Sequence, residues 1–164
     1  MKWFTSDWHL GHKNVLKFDK RPFKNLTEMN VALIKNINNN VKKNDVLYVL
    51  GDVSFKLGQV NAIGFFLDKI ICDRIILILG NHDKFKPFDY VDVGFESVHT
   101  SLEIDDGYVL VHDPAIAGCL VDIKFICGHV HHLFKKTKNV VNVSCCAWDY
   151  KPVSIDVINE MFLI

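Results

Sequence analysis

The stretch "LILGNHDKF", residues 77–85, decides how the chain is read. It is the end of an apolar run, Ile75 to Leu79, that stops at a glycine and then presents an amide, an imidazole and a carboxylate in succession. A nearly continuous apolar run of this length is a strand covered on both faces, the pattern of a parallel sheet. Similar runs occur at residues 2–6 (KWFTS), 45–50 (DVLYVL) and 123–127 (IKFIC). Between the first two, Leu26, Met29, Leu33, Ile34, Ile37 and Val41 recur at three- and four-residue spacing, which predicts a helix from about Thr27 to Asn39. Leu57, Val60, Ile63, Gly64, Leu67 and Ile70 predict a second helix. The first half therefore reads β-α-β-α-β with a parallel sheet.

The second half reads differently. "SLEIDDGYVLVH", residues 101–112, predicts a hairpin about Asp106-Gly107, and a further strand is expected at residues 140–144. A helical pattern closes the chain near residues 155–163, and residues 84–97 and 113–122 read as its longest irregular loops. Antiparallel strands after a parallel half imply an α/β fold of two packed mixed sheets flanked by helices. At 164 residues, with 49% hydrophobic and 23% charged residues, residues 1–164 are expected to form a single domain.

Nineteen basic residues balance nineteen acidic ones, which argues against a surface built for long nucleic acid. No run approaches membrane-spanning length, and the N-terminal residues lack the apolar core of a signal peptide. The five cysteines form neither a C-x-x-C pair nor an even framework, and they fit reduced thiols in a cytoplasmic protein.

The metal-competent side chains cluster at strand ends. Asp7 and His9 follow the first strand (SDWHLGH), Asp52 the second (VLGDVSF), and Asn81 and His82 the third. His112 ends the hairpin (VLVHDP), while His129 and His131 follow the strand that ends at Cys127 (ICGHVHH). In α/β sheets that edge collects binding sites. In an extended tail Asp7 and His9 would point the same way and share one ion; His129 and His131 share that spacing, or address two ions if the backbone turns between them. The glycines of "LGD", "LGN" and "CGH" are expected to let each strand end bend. Oxygen and nitrogen donors without cysteine favour manganese, iron, zinc or nickel.

The ordered set D-x-H, G-D, G-N-H-D, a later His and G-H-x-H resembles the calcineurin-like metallophosphoesterase superfamily from Asp7 to His131, and the tail "NVSCCAWDYKPVSID" is similar to its small bacterial and phage-type members. The resemblance implies a four-layer αββα sandwich and two divalent metal ions, manganese first, bridged by Asp52. Asp7, His9 and His131 would complete one site, and Asn81, His112 and His129 the other. It further implies phosphoester hydrolysis by a bridging hydroxide, with His82 stabilising phosphoryl oxygens or protonating the leaving group. Asp83 would orient His82 or merely cap a turn. Asn81 and His82 would touch substrate, and His12 either joins them or is an exposed loop residue.

The expected substrate is a small phosphodiester, a nucleotide included, with no long nucleic acid expected. A phosphomonoesterase or protein phosphatase is the alternative, disfavoured by the lack of an arginine around "GNHD"; a non-catalytic scaffold is the other. Trp8 and Trp148-Asp149-Tyr150 lie close to motif positions and read either as core packing, the favoured reading, or as aromatics that stack on a nucleobase.

Overall fold

The computed structural model describes residues 1–163. Strands β1 (Lys2–Thr5), β2 (Val46–Val49), β3 (Arg74–Ile78) and β4 (Ser97–His99) form a parallel sheet in the order β4-β3-β2-β1, and β9 (Val153–Ser154) adds to β1 antiparallel. A second sheet has the order β5 (Leu102–Ile104), β6 (Tyr108–Leu110), β7 (Lys124–Cys127), β8 (Val140–Asn142). The expected hairpin is β5–β6, which is antiparallel, but β6, β7 and β8 run parallel. The second half is thus less antiparallel than its sequence suggests, because the connections after β6 and β7 return the chain to the sheet's starting end instead of turning it back.

Side-chain alternation explains the layering. Leu47, Val49, Ile75 and Leu77 face a core shared with Met29, Leu33 and Ile37 of helix α2 (Leu26–Asn40). Their neighbours Tyr48, Leu50, Ile76 and Ile78 face the second sheet, packing with Ile104, Leu110, Ile126 and Val141. Each such buried aliphatic side chain contributes roughly 1.5–3 kcal/mol. The second sheet's outer face carries a smaller cluster, Val111, Ala117, Phe125, Cys127 and Val140, covered by a 3-10 turn at Pro114–Cys119. The two mixed sheets and their helices are those expected, with the outermost layer reduced to short elements.

Local chemistry sets the helix limits. Asn25 Oδ1 accepts from the Glu28 N–H at 2.9 Å, and Glu28 accepts from the Lys24 N–H at 2.9 Å, which starts α2. The second helix expected from the apolar spacing is shorter, α3 (Asn61–Leu67). Leu57 instead lies in the preceding loop. The region 84–97 is not simply irregular: α4 (Pro87–Asp92) begins with Pro87 in its first turn, where a missing N–H costs nothing. A four-residue helical turn, α1 (Val15–Phe18), precedes α2, and α5 (Ile155–Leu163) packs Ile155 and Ile158 into the inter-sheet core. No described helix is long and apolar enough to cross a membrane. All five cysteines are free thiols, and only Cys119 is exposed.

The loops after β1 and β2 run side by side. Asp7, His9 and Leu10 donate their N–H groups to the carbonyls of Gly51, Asp52 and Val53 at 2.9–3.0 Å. Gly51 permits this approach: its φ is +83°, and a Cβ there would lie 2.5 Å from His112 Nδ1 and 2.6 Å from Gly80 Cα. Gly51→Ala should therefore cost at least about 1–3 kcal/mol of stability in urea denaturation, from backbone strain and displacement of His112. A variant as stable as the wild type would contradict this close approach.

Candidate metal centre

Asp7, His9, Asp52, His129 and His131 all adopt positive φ, between 48° and 70°. This left-handed backbone is unfavourable for non-glycine residues and persists only where the surroundings enforce it. It also overturns the extended-tail expectation. Asp7 and His9 converge because each lies at a sharp bend, not because they alternate along a strand. Of the three strand-end glycines, only Gly51 has positive φ. Gly80 supplies room: a Cβ there would lie 2.3 Å from Asp52 Oδ1.

The bends bring the candidate ligands into two adjoining groups. In the first, His9 Nε2 lies 3.3 Å from His131 Nε2, and the two are 3.9 and 3.6 Å from Asp7 Oδ1. In the second, His112 Nε2 lies 3.2 Å from His129 Nδ1, 3.0 Å from Asn81 Oδ1 and 3.4 Å from Asp52 Oδ1. The other Asp52 oxygen, Oδ2, lies 3.7 Å from His9 Nε2. One carboxylate thus faces both groups, an oxygen to each.

Hydrogen bonding tests whether cations fit. His112 Nδ1 is 2.8 Å from the Leu50 carbonyl, so it carries the proton and leaves the Nε2 lone pair pointing at other acceptors. His131 is arranged likewise, with Nδ1 2.6 Å from Asp19 Oδ2 and Nε2 facing His9. Among the described residues His9 Nδ1 is buried with no hydrogen-bond partner. Lone pairs converging at 3.0–3.9 Å match the separation of donor atoms around a divalent ion, whose bonds are roughly 2.0–2.2 Å long. The donor set fits two divalent ions.

Proton affinities carry the same signature. Burial lowers the His9 pKa to about 3, against the attraction of Asp52, so this imidazole is neutral and ligand-ready. Burial also disfavours charge on His112, but its hydrogen bond to Asp52 and the charges of Asp7 and Asp52 outweigh it and raise the pKa to about 9. Without a cation, a proton takes its place.

Residues outside the expected set hold this arrangement. Asp19 fixes the His131 tautomer, and its own pKa falls to about 2, because the His131 and Arg21 interactions overcome burial. Arg21 is buried; its Nη2 donates to Asp19 Oδ2 at 2.9 Å and to the Asp7 carbonyl at 2.8 Å, and its Nη1 donates to the Trp8 carbonyl at 3.1 Å. Asp7 Oδ2 accepts from Ser6 and Ser144 hydroxyls at 2.5 and 2.8 Å. Asp19 and Arg21 sit in "FDKRPF", which looks like a solvated loop. Ser144, though, follows β8 at the same sheet edge, and the strand-end rule applied there would have found it. A third grouping, Asp19, His131 and Cys146, shares its histidine with the first site and already neutralises Asp19 with Arg21.

Two expectations change here. Asp83 does not orient His82: its carboxylate is buried and accepts from the N–H groups of Gly80, Asp52 and Val53 at 2.8–3.0 Å, tying the β2 and β3 loops together. Nor is His12 simply an exposed loop residue. Its ring stacks on Phe55, with centroids 3.9 Å apart, and lies 5.4 Å from the His9 ring. His82 sits at the edge of the centre, with Nε2 3.9 Å from Asp52 Oδ2 and its side chain 34% exposed. His132 is exposed, and His99 lies in β4, bonded to Ser97. Trp8 is fully buried in the core, as expected, and Tyr150 packs nearby.

Residues 3–145 match the family model of calcineurin-like phosphoesterases. An uncharacterized protein of Methanocaldococcus jannaschii is 35% identical over 170 residues, covering 97% of this chain and 89% of that protein. The gene 66 protein of Mycobacterium phage L5 is 37% identical over 89 residues, covering 53% of this chain and 42% of its own length. Among solved structures, a protein of unknown function from Aquifex aeolicus shares the fold with a TM-score of 0.75 and 24% identity, over 98% of both chains. The Pseudomonas putida nuclease MPE aligns with a TM-score of 0.51 and 18% identity, over 79% of this chain and 61% of that one. The chain belongs to the calcineurin-like phosphoesterase family.

Asp19→Asn should weaken manganese binding about 10–100-fold, the usual effect of removing a histidine's outer carboxylate, as read by calorimetry. Because His112 holds a proton up to about pH 9 in the absence of metal, binding at neutral pH must expel it. Apparent affinity should accordingly rise from pH 6 to pH 8 with proton release, measurable in buffers of different ionisation enthalpy. A pH-independent affinity would contradict the assignment of His112.

Proposed function

We propose that this calcineurin-like phosphoesterase is a phosphodiesterase that uses two divalent ions, manganese foremost, on small nucleotide-type substrates. The observation that carries the reading is the division of Asp52 between two histidine groups, one oxygen toward His9 and the other toward His112. Two cations on such a ligand set supply excess positive charge for a phosphate group and lower the pKa of a bound water.

The chain's own residues account for the rest. Asp52 is held in place by the His82 N–H, which donates to Oδ1 at 2.9 Å. The His82 imidazole is left partly exposed beside the centre, where it can stabilise phosphoryl oxygens or deliver a proton to the leaving oxygen. Asn81, exposed next to His112, is placed to contact substrate as well as an ion. Asp83 serves catalysis only by fixing the loop on which His82 stands.

The shape of the cleft favours a diester. One cavity, about 280 Å³, borders His82; another, about 510 Å³, borders Asn81 and His112 and extends to Thr100, Ser101 and Asp113. A phosphate on the ions therefore has room for a substituent on either side. The fold shared with the Pseudomonas putida nuclease supports phosphodiester chemistry on this scaffold. Balanced net charge favours short substrates over long nucleic acid.

His82→Ala should retain two equivalents of metal but lower kcat on bis(4-nitrophenyl) phosphate by roughly 10²–10⁴-fold. The same preparation should prefer that diester over 4-nitrophenyl phosphate in assays with manganese, nickel and zinc. A strong preference for the monoester would reverse the substrate assignment, and full metal loading without turnover of either would favour a scaffold.

A further inference from the structure

The two cavities beside the candidate centre differ in chemistry. The one bordering His82 is walled by Phe55, Leu57 and Phe85, with Lys56 and Lys84 as its charged members. Both lysines are exposed, neither forms a salt bridge among the described residues, and the Lys56 ammonium lies over the Phe55 ring, 5.2 Å from its centroid. The Phe55 ring stands edge-on to His82, with centroids 4.8 Å apart, and is held from behind by His12. The opposite cavity carries a negative charge, Asp113.

We infer that the His82-side cavity is the leaving-group subsite, and that it receives a nucleotide: its base against Phe55 and Phe85, and a second phosphate at Lys56 and Lys84. The inference rests on the phosphodiesterase reading and adds direction to it. Among the described residues His82 is the only titratable group that both borders this cavity and approaches Asp52, so a substituent lying here has its ester oxygen next to the proton donor. An apolar wall with flanking aromatic rings selects a flat ring system over a sugar or an alkyl chain. Two cations without carboxylate partners select an additional anion, which Asp113 would repel from the other side. On hydrolysis, the bond between phosphorus and the leaving oxygen breaks. Water supplies the oxygen added to phosphorus, one of its protons passes through His82 to the leaving nucleotide, and the other remains with the phosphate product.

Calorimetry on manganese-loaded protein tests the assignment with three ligands: ribose 5-phosphate, adenosine 5′-monophosphate and adenosine 3′,5′-bisphosphate. The wild type should bind the monophosphate about tenfold more tightly than ribose 5-phosphate, the scale of one stacked base, and the bisphosphate more tightly again. Phe55→Ala should abolish the first difference. Leu57→Trp, which fills the cavity without removing the ring beside His82, should abolish it too. Lys56→Glu combined with Lys84→Glu should abolish the second difference, since exposed lysines can be exchanged without disturbing the core. Equal binding of all three ligands by the wild type, or differences that survive these variants, would overturn the subsite. Turnover of bis(4-nitrophenyl) phosphate by the same wild-type preparation reports separately on the phosphodiesterase reading. Turnover with equal ligand binding would leave that reading standing and sink the subsite, while graded binding without turnover would sink that reading and, with it, the leaving-group assignment, leaving a nucleotide-binding pocket.

Discussion

Two buried carboxylates, Asp7 and Asp52, face inward-pointing imidazole lone pairs at the junction of two sheets. Negative charge and unshared electron pairs concentrated in a low-dielectric pocket are unfavourable unless positive charge enters. The buried Arg21 does not relieve this, because its guanidinium is engaged by Asp19 and by the carbonyls of Asp7 and Trp8. The pocket is therefore built around charge that the chain itself does not supply. The raised proton affinity of His112 is the local expression of that deficit.

Holding such a pocket open takes backbone strain. Five candidate ligands adopt left-handed conformations, each costing of order 1–3 kcal/mol relative to an ordinary loop. Two clamps hold Asp7, His9 and Asp52 there, while the His131 carbonyl accepts from Asn142 and the His129 N–H donates to Asp7. Asp83 gathers three N–H groups from the loops after β2 and β3, and Arg21 grips the loop after β1 through its carbonyls. Neither clamp touches the space between the ligands. Their place in the energetics is to make the unfavourable geometry the least unfavourable one available.

Much of this was legible in the residues. The apolar runs ending at Leu50 and Leu79, with helical spacing between, gave the parallel sheet, and the clustering of polar residues beyond each run gave the ligand candidates. What escaped has physical causes. Asp19 and Arg21 lie in a charged loop whose burial depends on tertiary packing, which no local pattern records. For Asp83 the residues left orienting His82 and capping a turn both open; its carboxylate takes the capping role and, beyond it, accepts from two N–H groups of the distant β2 loop, which no local pattern records. The left-handed bends at Asp7 and His9 were hidden because Asp and His, although enriched among non-glycine residues at positive φ, adopt it here through contacts between loops that are distant in sequence. Residues 84–97 read as a loop, although a proline such as Pro87 suits the first turn of a helix.

The candidate ligands come from both sheets: Asp7, His9, Asp52 and Asn81 follow strands of one, and His112, His129 and His131 follow strands of the other. His9 and His131, whose Nε2 atoms are in contact, are 122 positions apart along the chain. Closing so large a loop is slow and entropically costly, so neither half of the chain holds a complete coordination sphere by itself. A metal ion held by either group would therefore need both sheets in place. In such a site, selection among cations would rest on the size and donor geometry of a completed cavity rather than on raw affinity.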